Sequence, residues 1–170
     1  MRPPFEPASD RDIAVVSAQL GRPARDVVGI PARCICGNPT VVATSPRLAD
    51  GTPFPTFYYL THPAATAAMS QLEATQVMAE FNELLATDET VAAAYAQAHT
   101  EFIADRETVG TVPELEGVSA GGMPTRVKCL HALAGLEPNR AVAQGEGGPS
   151  GAVEQGGGDE GVESEVHGLP

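Results

Sequence analysis

Tryptophan is absent from these 170 residues, and the aromatic share is only 5%. The apolar share of 42% is ordinary for a globular chain, but much of it is alanine. Alanine buries little area, so the expected core is small and helix-rich. No run of about 18 or more apolar residues occurs, which excludes a membrane-spanning helix. The start, Met1 to Asp10, is proline-rich and charged and lacks the apolar stretch of a secretory signal.

Positive charge is also scarce. Ten Lys and Arg stand against 22 Asp and Glu, a formal net charge of −12. Such a chain repels phosphate backbones, so no nucleic-acid partner is expected. Much of the imbalance sits after Pro138, where Glu146, Glu154, Asp159, Glu160, Glu163 and Glu165 face only Arg140. Cysteine is limited to three residues, an odd number in close spacing, which is not a disulfide framework. A reducing, cytoplasmic location is the simplest expectation.

What the chain does have is ordered by its turn residues. Residues 1–9 read as a flexible arm. Ser9 or Asp10 is placed to cap a helix from Arg11 to about Leu20, with Ile13, Val16 and Leu20 on one face and Gly21 and Pro23 ending it. Residues 26–61 read as extended, from the β-branched runs Val27-Val28 and Thr40 to Thr44 and the segment Phe54 to Leu60. Prolines 46, 53 and 55 keep this region from being helical. A helix follows from Pro63 to about Ala86, with Met69, Leu72, Gln76, Phe81 and Leu84 as its inner stripe and Glu73, Glu80 and Glu83 as its solvated face. Asp88 caps a second helix to about Thr108, and the two form a hairpin. Residues 109–123 read as a loop, and Pro124 opens a last helix through Cys129 and His131 to about Leu136. Beyond Pro138 the composition is that of a disordered tail.

The three cysteines and two of the histidines form a candidate metal set: Cys34, Cys36, His62, Cys129 and His131. Thiolate and neutral imidazole are the ligands of zinc and of iron–sulfur clusters. Cys34 and Cys36 share one side of a strand, whereas residues two apart in a helix point roughly 200° apart. Either the last helix begins after Cys129, or only one of Cys129 and His131 belongs to the set. The preferred set is Cys34, His62, Cys129 and one of Cys36 or His131. The competing reading is structural: buried thiols, with His62 capping a helix ahead of Pro63. Cys34 or Cys129 as a nucleophile activated by His131 or His99 is a further alternative. His99 otherwise reads as a partly buried hydrogen-bonding residue. Ser119 to Gly122, with Arg126 and Lys128 nearby, is a candidate for holding phosphate or carboxylate, against the reading of a plain connector.

Three segments resemble the family catalogued as domain of unknown function 501 (DUF501). They are Arg33-Cys34-Ile35-Cys36-Gly37-Asn38-Pro39, Phe54 through Pro63, and Gly121-Gly122-Met123-Pro124 followed by Val127-Lys128-Cys129-Leu130-His131. The likeness spans about residues 10–136. It implies an actinobacterial protein without an established activity, whose relatives often carry cysteine where this chain has His62. It also implies an association with cell-division or envelope machinery, because relatives are often encoded near a septum-formation coiled-coil protein and an exopolyphosphatase. The chain departs from the family at its end, where Pro138-Asn139 leads into the low-complexity tail.

The reading is therefore an α+β chain: arm 1–9, one domain 10–137 with a small, mostly antiparallel sheet packed by a helical hairpin and a C-terminal helix, and an acidic tail 138–170. Its expected function is that of a structural or regulatory metal-site protein, with zinc or an iron–sulfur cluster. The alternatives are a small metal- or Cys-dependent hydrolase or transferase, and a metal-free interaction domain with an unknown protein partner.

Overall fold

The computed structural model describes residues 2–143, with side chains as far as Leu136. Its elements are α1 (Asp10–Leu20), β1 (Val27–Arg33), β2 (Pro39–Thr44), β3 (Tyr58–Leu60), α2 (Pro63–Glu73), α3 (Val77–Thr87), α4 (Glu89–Glu107) and α5 (Leu130–Ala143). This is the expected α+β class. No helix among the described residues is long and apolar enough to cross a membrane.

The sheet is an antiparallel meander in the order β1-β2-β3. Its central strand is buried almost throughout, and its side chains alternate between two cores as a pleated strand requires. Val41 and Ala43 join Phe57, Leu60, Ala98, Phe102, Ala132 and Leu136 on the face covered by α4 and α5. Val42 turns the other way, to Val16 of α1 and Ile30. The aromatic run does the same, with Tyr58 in the larger core and Tyr59 packed against the smaller. Pro31 is accommodated because β1 is an edge strand with irregular register.

The segment before α1, read from sequence as a flexible arm, lies against that edge. The Ile30 N–H donates to the Glu6 carbonyl at 2.9 Å. Phe5 packs edge-on to Tyr58, with ring centroids 5.9 Å apart. Gly29 makes room for it: a Cβ there would stand 2.7 Å from the Phe5 Cβ. Ser9 caps α1 in a reciprocal arrangement with Asp12.

Three helix boundaries differ from expectation. The single helix expected from Pro63 to about Ala86 is broken at residues 74–76. Thr75 causes the break locally: its hydroxyl donates to the Leu72 carbonyl at 2.7 Å and accepts from the Val77 N–H at 3.3 Å. It thereby ends one helix and starts the next. Leu72, Phe81 and Leu84, expected on an inner stripe, are about 40% exposed. The last helix begins at Leu130 rather than Pro124, because Gly121 and Gly122 at positive φ build a turn whose Gly121 carbonyl accepts from the Lys128 and Cys129 N–H groups instead. It also runs to Ala143, past the expected end near Leu136. Pro138 removes one internal donor, but Arg140, Ala141 and Ala143 are good helix formers. The tail expected to be disordered lies, beyond residue 143, outside the described residues.

Candidate functional site

A cleft of about 760 Å³ runs between β3 and the loop from Gly117 to Cys129. Side chains of α3 and α4 hold the loop by its backbone. Arg106, 2% exposed, donates to the carbonyls of Leu115, at 2.9 Å, and of Val118. Ser119 donates to the Met123 carbonyl and faces His99 Nδ1 at 2.8 Å. The Tyr95 hydroxyl donates to the Arg126 carbonyl at 3.1 Å, and burial pushes that hydroxyl up to about 12, so it stays protonated. Asn82 pairs with Val127 in both directions, accepting from its N–H at 2.9 Å and donating to its carbonyl at 3.0 Å.

This anchoring decides which side chains face out. Val127 is buried, and its neighbours Arg126 and Lys128 are exposed on the cleft wall. Lys128 is the single lysine of the sequence. Gly122 lies beneath them, where a Cβ would meet the Arg126 carbonyl oxygen at 2.5 Å and the Lys128 Cβ at 2.9 Å.

At the end of the loop Cys129 and His131 also line the cleft, and Glu73 reaches them from the last position of α2. One atom from each converges: Cys129 Sγ, His131 Nδ1 and a Glu73 carboxylate oxygen all lie within 4.8 Å of one another. Nδ1 is 3.1 Å from Glu73 Oε1 and 4.0 Å from Sγ. Ligand atoms around a tetrahedral zinc stand about 3.3–3.8 Å apart, given bonds of about 2.0–2.3 Å. Among the described residues no other group of three or more His, Cys, Asp or Glu comes together this way.

The hydrogen bonds around His131 fix how the ring is used. Nε2 faces the Thr66 carbonyl at 3.2 Å, and the Ser70 hydroxyl also lies at 3.2 Å. A carbonyl oxygen only accepts, so Nε2 carries a proton, while Nδ1 faces Glu73 and Cys129, donating to the carboxylate in the protonated ring and offering a lone pair in the neutral one. Burial alone raises the Glu73 carboxyl, but hydrogen bonds from His131 and from the Leu130 N–H, at 2.6 Å, outweigh it and hold it below its ordinary value. Nδ1, Sγ and a carboxylate thus converge on one point, where a proton on Nδ1 or a bound cation supplies the positive charge they favour.

The sequence set is accordingly divided. Cys129 and His131 come together because α5 starts between them, which frees Cys129 from helical geometry. Cys34 and Cys36 form a disulfide at the tip of the β1–β2 turn. Their sulfurs are not thiolates in that state and cannot serve as the expected ligands. His62 caps α2, its Nδ1 accepting from the Ala65 N–H at 3.4 Å. It is not a member of the Cys129 group. His99 holds the loop, and Arg33 holds Asp12 and Glu6. Glu73, read as part of a solvated helix face, is instead a member of the group. No local signal marks it, because its partners lie 57 and 58 residues away.

No curated protein and no solved structure matches the chain. A family model does: the one described as a protein of unknown function (DUF501) matches residues 30–137. The three sequence segments quoted above, the fold that places two of them along one cleft, and this match agree, and the chain belongs to the DUF501 family.

Proposed function

We propose that Glu73, Cys129 and His131 bind one divalent transition metal, zinc by ligand type, and that the cleft beside it receives a small anionic substrate for hydrolysis or group transfer. The observation that carries the reading is the convergence of Nδ1, Sγ and the carboxylate within 4.8 Å, with Nε2 tied to a backbone carbonyl, which leaves Nδ1 of the neutral ring free to ligate. A ligating histidine is commonly oriented by such a second hydrogen bond. A protein set of three leaves a fourth position for water or substrate, the arrangement of catalytic rather than structural zinc. Bound there, the metal would polarise an ester or anhydride oxygen and lower the pKa of a water. Arg126 and Lys128, with no salt-bridge partner among the described residues, would hold the substrate's negative charge.

Elemental analysis after equilibrium dialysis against zinc tests the metal. The expected result is about one equivalent for the wild type, with Cys129→Ala and Glu73→Gln reduced at least tenfold in affinity. Less than about 0.2 equivalents in the wild type sinks the proposal. Cobalt in place of zinc should give a thiolate charge-transfer band that Cys129→Ala lacks.

A further inference from the structure

The Cys34–Cys36 bridge lies outside the cleft and is independent of the reading above. It closes the turn between β1 and β2 across a single intervening residue. That turn is already closed by other bonds. The Cys34 N–H donates to the Asn38 carbonyl at 2.9 Å, and the Gly37 N–H donates to the Cys34 carbonyl at 2.8 Å. The ladder begins directly beside it, with Arg33 opposite Pro39. Arg33 adds a third tie, its Nη1 donating to the Gly37 carbonyl at 3.0 Å. A crosslink over so short a loop removes little chain entropy, so the bridge adds almost nothing that these bonds do not already provide.

Its surroundings are those of a reactive bond rather than a staple. Cys36 is exposed and Cys34 half-buried. Ile35 between them is fully exposed, an apolar side chain at the tip that no described residue covers. Structural disulfides sit where an attacking thiol cannot reach; this one joins an exposed residue, Cys36, at the tip of a turn.

We propose that Cys34 and Cys36 form a redox-active pair that exchanges with the dithiol of another protein. A thiolate of that dithiol attacks Cys36 Sγ, the Cys34–Cys36 bond breaks, and Cys34 leaves as a thiolate that takes a proton. The second thiolate of the dithiol attacks the mixed disulfide and releases Cys36. Two electrons pass to the chain, which now holds Cys34 and Cys36 as thiols, and the dithiol ends as a disulfide. The reverse sequence oxidises a partner dithiol. Cys36 is the attacked sulfur because it is the more exposed.

Dithiothreitol is a suitable probe dithiol. The full-length oxidised protein is equilibrated in buffers of reduced and oxidised dithiothreitol without denaturant, quenched with an alkylating agent and cleaved with trypsin. Cleavage after Arg33 and Lys128 puts the pair and Cys129 on separate peptides. The expected result is that Cys34 and Cys36 become alkylated together in a single two-electron step, with the melting temperature unchanged within a degree or two. In Cys34→Ser, oxidised glutathione should load Cys36 as a mixed disulfide at least tenfold faster than Cys129. The proposal is overturned if the pair is reduced only after denaturant is added, if reduction lowers the melting temperature substantially, or if the reduced pair fails to reoxidise with oxidised dithiothreitol. With the glutathione comparison run after dialysis against a chelator, none of these readouts depends on zinc at Cys129, so the two proposals stand or fall separately.

Discussion

Arg33 is the residue whose role is most local and most measurable. Its guanidinium binds Asp12 through both nitrogens, Nη1–Oδ1 at 2.6 Å and Nη2–Oδ2 at 3.0 Å, and Glu6 through Nε at 3.0 Å. It thereby ties α1 and the leading segment to the end of β1. The Arg33 hydrogen bonds, then those of Ser9, hold the Asp12 carboxyl well below the usual carboxylate range. An unfolded aspartate titrates near 3.9, so this contribution is complete above about pH 4 and fades as the pH falls further. Arg33→Met should lose about 1–2 kcal/mol at pH 7, a modest figure because the arginine is partly exposed. In urea titrations the gap between variant and wild type should narrow steadily below pH 4. A gap that stays constant down to pH 2 would remove the ion pair as its cause. Arg106 is a different case, a buried guanidinium whose visible partners are carbonyls. Arg106→Met should cost about 1–3 kcal/mol, since it leaves the Val118 carbonyl without a donor and the Leu115 carbonyl with only the Val118 N–H, and should raise hydrogen exchange in residues 115–119 first. Single residues were legible in the sequence where their partners are neighbours. His62 ahead of Pro63, Ser9 and Asp88 all cap the helices that follow them. Glu73 and Asn82 were not legible, because each acts on backbone 45 or more residues away.

At the scale of elements, the loop from Gly117 to Cys129 was the hardest to read. Its glycines, prolines and small residues indicate only that it is not a helix. What organises it is a row of side chains on α3 and α4, whose spacing looks like an ordinary half-buried helix face. The loop's internal fit gives a direct test. Gly122 has φ +93° and no space for a Cβ. Gly122→Ala should therefore cost about 1–3 kcal/mol and displace Arg126 and Lys128 from the cleft wall. Thermal unfolding reads the first effect, and loss of inorganic phosphate binding by titration calorimetry reads the second. Unchanged stability in this variant would mean that the turn is built differently. The break between α2 and α3 was missed for another reason. Alanine-rich sequence on both sides continues the helical pattern, and one threonine hydroxyl supplies the competing bonds.

For the molecule as a whole, the sheet and its two cores followed from β-branched and aromatic alternation, which is why the α+β class was readable. The meeting of Glu73 with Cys129 and His131 was not, since it requires α2 and α5 to pack side by side. That packing makes metal binding a matter of global stability. A ligand that binds only the folded chain adds about 2.7 kcal/mol at one hundred times its dissociation constant. For a chain of this size, zinc at that concentration should raise the melting temperature by about 5–10 °C. The rise should be absent in Cys129→Ala, and scanning calorimetry with and without a chelator checks it.

The meander has one more vulnerable side. Phe5 and Glu6 cover part of the outer rim of β1, in a space that Gly29 leaves open. A version trimmed to begin at Ser9 would bare that rim, with its unpaired amides and an apolar hollow where the phenylalanine ring had been. Bare strand rims recruit one another. Such a shortened chain should leave a sizing column as oligomers, while a fusion placed ahead of Met1 keeps the natural seal in place.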